Sequence, residues 1–217
     1  MNSGEFSFDT ITDFDRHIRN SIPNYDLLFD AVVSMSQFFS DPEAPMLDLG
    51  CSTGELLRAI PHKGVKVGVD LSTNLLPESH DPRLHFVHED IRSFDFGFYD
   101  PFCFVTSIFT LQFVPKVDRL HLLRRIHKSL QVGGAFLWAE KVLCETGADQ
   151  DLLTFGYYDF KRKSFSPHEI LKKEEDLRSL LWCNTTEQNQ DLAMVAGFKR
   201  GVLIWKFFNF ECYLYRK

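Results

Sequence analysis

The sequence predicts an α/β fold: a mostly parallel sheet with helices on both faces and an antiparallel hairpin at its C-terminal edge. Three observations carry this. From residue 46 onward, short apolar runs bounded by Gly, Asp or Pro alternate with segments of helical period, as right-handed βαβ units do. The run Phe102–Ser107 has no polar alternation, the mark of a central strand covered on both faces. The last two runs, Gly201–Trp205 and Phe207–Tyr215, leave no room for a helix between them, so they pair as a hairpin with Lys206 near its turn.

The elements follow in order. Residues 1–45 read as an N-terminal helical arm, with Ile18, Ile22, Leu27, Leu28, Ala31, Val32, Met35 and Phe38 near helical spacing. Pro23 suits a helix start, and Asp41-Pro42-Glu43-Ala44-Pro45 ends the arm. Residues 46–217 form one α/β domain. Met46–Gly50 is a strand ending in glycine, Glu55–Ile60 a helix, Val65–Asp70 the second strand and Leu84–His88 the third. Lys116–Leu130 is a helix closed by a Gly133-Gly134 turn, and Ala135–Glu140 a further strand. Residues 149–182 are a polar-rich helical insertion before the sheet resumes.

Composition limits the function. With 217 residues, 44% hydrophobic and 25% charged, the chain can bury one sizeable core and is not disordered. No apolar run approaches the roughly 20 residues of a membrane helix, and Met1–Glu5 lacks the basic and apolar segments of a secretory leader. Cys51, Cys103, Cys144, Cys183 and Cys212 form no C-x-x-C pair or metal-ligand spacing, which points to reduced thiols in the cytoplasm and to no metal. A net charge of -6 argues against broad nucleic-acid binding. Phe (22) outnumbers Tyr (6) more than threefold, which implies an aromatic core and allows an aromatic ligand pocket.

Open α/β sheets bind ligands beyond the carboxyl ends of their strands, where strand order reverses. The first strand-to-helix turn reads Asp48-Leu49-Gly50-Cys51-Ser52-Thr53-Gly54. It is neither the G-x-G-x-x-G of a dinucleotide site nor a P-loop. It fits the D-x-G-x-x-x-G turn of a class I S-adenosylmethionine (SAM) enzyme, with Ser52 where many such loops carry a second glycine. Asp70 ends the second strand, where an acid accepts hydrogen bonds from ribose hydroxyls; Asp90 follows the third, where an acid can meet an adenine amino group. Each acid alone is also explained as a strand-end turn former. Asp48 either stabilises the loop or receives the ligand's ammonium group.

Arg19-Asn20-Ser21-Ile22-Pro23-Asn24-Tyr25, Asp48-Leu49-Gly50-Cys51-Ser52, Phe109-Thr110-Leu111-Gln112-Phe113, Glu140-Lys141, Asp159-Phe160-Lys161-Arg162, Ala196-Gly197-Phe198 and Phe208-Asn209-Phe210 span nearly the whole chain. In them the sequence resembles the carboxy-S-adenosyl-L-methionine synthases, class I methyltransferase-fold enzymes of tRNA wobble-uridine modification. The resemblance implies SAM or carboxy-SAM as ligand, a homodimer, and ligand contacts at Tyr25, Gly50, Cys51, Ser52, Asp70, Leu71, Asp90 and Ile91. It also implies a reaction with prephenate, whose carboxyl group is transferred to the SAM methyl.

The chain departs from this pattern. Leu71–Arg83 is shorter than in the family. Ile108 stands where the family has asparagine, and Glu174 aligns with the arginine that holds the transferred carboxylate. Two carboxylates repel where arginine would bond. Arg178, one turn on, either replaces that cation or pairs with Glu174 on a solvated face; the second reading is preferred. The expected substrate pocket therefore comprises Ile108, Glu140, Lys141, Arg162, Glu174 and Arg178, with Lys172 a further cation. Glu140, His168 or Glu174 is the expected proton acceptor, and no catalytic residue is singled out. Three readings follow: a SAM-dependent methyltransferase acting on a small molecule or a tRNA-modification-pathway target, a divergent carboxy-SAM synthase, and a noncatalytic SAM-binding protein. The first is preferred, because a sulfonium methyl needs little beyond alignment.

Overall fold

A computed structural model describes residues 11–217. The start Met1–Glu5 and the first ten residues of the expected arm lie outside the described residues. The rest of the arm is two helices, α1 (Phe14–Ser21) and α2 (Tyr25–Gln37). Asp13 caps α1, its side chain accepting from the Arg16 amide. Pro23 lies in the bend between the helices, where Asn24 takes a left-handed conformation with φ 55° before α2 begins.

The domain runs β1 (Met46–Leu49), α3 (Glu55–Ala59), β2 (Lys66–Asp70), β3 (Leu84–His88), β4 (Phe102–Ile108), α4 (Lys116–Ser129) and β5 (Leu130–Lys141). It continues with α5 (Gly147–Lys161), α6 (Pro167–Leu177), α7 (Thr186–Ala196), β6 (Val202–Phe207) and β7 (Phe210–Arg216). The seven strands form one sheet in the order β3-β2-β1-β4-β5-β7-β6. The first five are mutually parallel, whereas β7 is antiparallel to both β5 and β6. Strand order reverses between β1 and β4, so the loops after these strands splay apart and leave a crevice.

Strand alternation sorts the core onto two faces. Leu47, Leu49, Val105, Phe136 and Trp138 pack with Leu122, Leu123 and Ile126 of α4 and Ala193 of α7. Met46, Phe104, Leu137 and Ala139 face Leu28 and Val32 of α2, Leu56 of α3 and Tyr157 of α5. Many of the phenylalanines are core residues, as composition suggested.

One expectation needs correction, and one element was not expected. Gly133-Gly134 is not a turn. Strand β5 begins directly at the end of α4, and the glycines lie inside it, where register shifts between Phe102 and Phe104 of β4. There Gly133 takes φ +82°, so the pair accommodates a bulge. Helix α7 is not foreseen, because its buried residues include the polar Asn189 and Gln190, which hide the helical period; its capping box of Thr185 and Gln188 was the available signal. The hairpin turn falls at Phe208-Asn209, two residues beyond Lys206.

Candidate functional site

Beyond the carboxyl ends of the central strands lies a cavity of about 610 Å³, within the roughly 300–1,000 Å³ of small-molecule sites. Its floor is the loop after β1. Gly50 has φ +81°, and a Cβ there would lie 2.1 Å from Thr110 Oγ1, so only glycine fits. Ser52 is also left-handed, φ 48°, which explains why glycine is common at that place. Ser52 lines the cavity, and its buried hydroxyl has no hydrogen-bond partner among the described residues. Asp70 holds the loop, accepting from the Ser52 and Ser72 amides, both at 2.8 Å.

Asp48 is buried beneath the loop with its carboxylate accepting from Thr106 Oγ1 at 2.7 Å. Burial chiefly, with Asp70 adding repulsion, lifts its pKa to about 7. Cys51 is buried against Gly68, and burial pushes its thiol upward, so it packs rather than reacts. Ile91 and the exposed Leu71 also line the cavity. Asp90 does too, but Arg92 covers both its oxygens, at 2.6 to 3.0 Å, and holds its pKa below the ordinary value. Tyr25 lines the opposite side with Arg19 stacked 5.7 Å from its ring.

The arm closes over this floor. Thr53 Oγ1 donates to Asp15 at 2.7 Å, and Arg19 makes a bidentate pair with Glu55 at the start of α3, at 2.7 and 3.0 Å. The Tyr157 hydroxyl donates to Ser21 O at 2.9 Å.

A second group of side chains is cationic. Lys141, Lys161 and Lys173 all line the cavity, with Glu174 among them. Lys141 Nζ is 4.0 Å from Glu174 and 5.4 Å from the Tyr157 ring. Burial lowers the pKa of Lys161. Burial first, then Lys161, takes Lys173 down to about 8. Burial and the same two lysines hold His17, on α1, at about 4.

Of the expected substrate-pocket residues, Ile108, Lys141 and Glu174 line the cavity. Three do not. Glu140 is buried on the other sheet face, 3.9 Å from Arg119, because successive strand residues point oppositely and Lys141 takes the cavity side. Arg162 is exposed and pairs with Asp159 at 2.6 Å. Arg178 is the exposed C-cap of α6. Lys172 pairs with Asp176 on the outer face, and His168 is exposed. The sequence reading does not single out Asp15, Arg19, Thr110, Lys161 or Lys173. Helical spacing was the usable signal for Lys161, four residues after Tyr157 and hence on its face. Nothing local marks Asp15 or Thr110, which meet the loop only through tertiary folding.

A methyltransferase domain model matches residues 46–134, the stretch from β1 into β5. The chain is 31% identical over 224 residues to a carboxy-S-adenosyl-L-methionine synthase of Campylobacter concisus, covering 98% of this chain and 94% of that protein. The synthase of Staphylococcus epidermidis is 29% identical over 210 residues, covering 93% and 91%. Among solved structures, human N-acetylserotonin methyltransferase in complex with SAM aligns with TM-score 0.56 and 19% identity, covering 87% of this chain and 51% of that one. A cyclopropane synthase from Mycobacterium tuberculosis aligns with TM-score 0.58 and 19% identity, over 80% and 62%. These two carry the fold, which is that of Rossmann-like methyltransferases. Fold and kin together make SAM, or its carboxylated form, the nucleoside this chain uses, and the glycine cradle with its orphaned hydroxyl suits such a ligand. The chain belongs to the carboxy-S-adenosyl-L-methionine synthase family, on the class I SAM-dependent methyltransferase fold.

Proposed function

We propose that this chain transfers the SAM methyl group to a small anionic acceptor. The observation that carries the reading is the convergence of Lys141, Lys161 and Lys173 on one cavity, where Glu174 is the one lining carboxylate from their own elements (β5, α5 and α6) among the described residues; the other lining acids, Asp15, Asp48, Glu55, Asp70 and Asp90, come from other elements. Three ammonium groups in a partly dry site favour an anion. In this reading the Gly50–Ser52 loop and Asp48 receive the amino-acid portion of SAM, and Asp70 receives the ribose. Leu71, Asp90 and Ile91 flank the adenine, whose amino group competes with Arg92 for Asp90. Tyr25 covers the ligand from the arm. Bound SAM supplies a methyl already activated by its sulfonium. The protein's part is alignment of the acceptor with that methyl and exclusion of water by the arm. Of the three proton acceptors expected from sequence, only Glu174 lines the cavity, and it takes the acceptor's proton.

Carboxy-SAM synthesis is the second reading. It is favoured by the relatives' activity and by the same lysines, which suit a dicarboxylate such as prephenate. Glu174 counts against it, although Lys141 at 4.0 Å offsets its charge. Incubation of the purified protein with SAM and prephenate, followed by mass spectrometry of the nucleoside, separates the two. Methyl transfer predicts SAM or S-adenosylhomocysteine alone; carboxy-SAM would overturn it.

A further inference from the structure

We propose that Arg119, which does not line the cavity, is a positioning residue for the wall that faces the second substrate. The inference rests on the reading that this wall meets an anionic acceptor. Arg119 projects from α4 and is fully buried. A buried guanidinium is costly unless its donors are met, and the acceptors it finds are backbone carbonyls of two separate loops. Its Nε donates to Val114 O at 2.9 Å and its Nη2 to Trp182 O at 2.5 Å. Val114 lines the cavity, as do Leu180 and Leu181 just before Trp182.

Gln112, another lining residue, completes the arrangement. Its carbonyl accepts from the Trp182 amide at 2.8 Å, and its side-chain Oε1 accepts from the Lys141 amide at 3.0 Å. Three segments far apart in sequence are thus linked: 114 to 182 through the Arg119 guanidinium, and 112 to both 141 and 182 through Gln112. The end of β5 is held from behind as well. Glu140 points away from the cavity and lies 3.9 Å from Arg119 Nη1. Neither carboxylate oxygen nor that Nη1 has a hydrogen-bond partner among the described residues. Arg119 is the nearest cation to Glu140 and, ahead of Trp138, the group that most favours its charged form against burial, so it faces the strand position next to Lys141 from behind. Packing alone would place an apolar side chain at position 119; a forked donor reaching two cavity-wall loops sets the spacing between the 112–114 and 180–182 segments, and Gln112 passes that spacing on to Lys141.

Arg119→Met alone strands a buried carboxylate, so the double variant Arg119→Met/Glu140→Leu accompanies it; replacing a buried pair by apolar groups preserves stability in many folds. In both variants, amide exchange measured by NMR at Lys141 and Trp182 is expected to speed up by about tenfold or more. Prephenate, used as the anion probe, is expected to bind about tenfold more weakly, while S-adenosylhomocysteine affinity by calorimetry stays within about threefold. Unchanged exchange at those two amides in the double variant overturns the proposal. So does a loss of nucleoside affinity as large as the loss of prephenate affinity, which is what general loosening would produce. If the unmodified protein does not bind prephenate, the anionic-acceptor reading is weakened, and the exchange rates still decide the role of Arg119.

Discussion

Asp48 is fully desolvated beneath the glycine loop, and its pKa of about 7 stands well above the ordinary 3.8. The folded state therefore holds this proton more tightly than the unfolded chain does. The resulting stability is complete below about pH 4 and is lost as pH rises through 7. Glu140, raised by burial from 4.5 to about 7, acts in the same direction. The melting temperature is expected to fall between pH 5 and pH 8. Asp48→Asn keeps the shape without the charge, so it should stabilise more at pH 8 than at pH 5. The difference should reach up to a few kcal/mol, since each tenfold change in proton affinity corresponds to about 1.4 kcal/mol. Equal effects in thermal melts at both pH values would contradict a desolvated carboxylate. Asp70 makes the complementary case. It holds the Ser52 and Ser72 amides and is proposed to receive the ribose, so Asp70→Ala should weaken S-adenosylhomocysteine binding by roughly 1–3 kcal/mol. Titration calorimetry showing full affinity would remove Asp70 from the nucleoside site.

Among the elements, periodicity decides which charges reach the cavity. On β5, Lys141 faces in and Glu140 out. On α5, Lys161 faces in, and Arg162, about 100° around the helix, faces solvent. On α6, Lys173, Glu174 and Leu177 line the cavity while Lys172 lies outside. Lys161→Met and Lys173→Met should each reduce anion binding while sparing the nucleoside, and parallel calorimetric titrations with prephenate and S-adenosylhomocysteine check this. Helix α1 buries no residue of its own and is tethered to the floor largely by polar contacts. Arg19→Ala, which removes the bidentate pair with Glu55 and the bonds to Asp26 and the Asp15 carbonyl, should speed nucleoside release severalfold. Stopped-flow release rates equal to those of the unmodified protein would show that α1 does not retain the ligand. Ser166 caps α6 in a full capping box, and Ser166→Ala should cost roughly 0.5–2 kcal/mol, read from chemical denaturation.

For the whole molecule, the decisive feature is that β7 is an interior strand. It pairs with β5 over seven positions and with β6 on its other side, and Tyr215 stacks on Phe136. Truncation before Phe210 would expose the β5 edge and uncover part of both core faces. The expected result is loss of the cooperative thermal transition, and a truncated chain that still melts sharply would mean the sheet is complete without the hairpin. Among the described residues no helix is long and apolar enough to cross a membrane.

The sequence by itself determined the α/β class, the positions of the first four strands and the second half of the fifth, the C-terminal hairpin and the glycine loop. Those features depend on local period and on backbone conformations that few residues adopt. The same is true of Asp48, Asp70 and Asp90, which strand ends place near one crevice. Only the tertiary structure decided which cations face the cavity, because Lys141, Lys161 and Lys173 come from three elements whose relative rotation no local pattern specifies. It also decided that Glu140 turns back to Arg119 and that the arm lies across the loop. These arrangements depend on contacts between residues tens of positions apart, and their energies exist only once the sheet has formed.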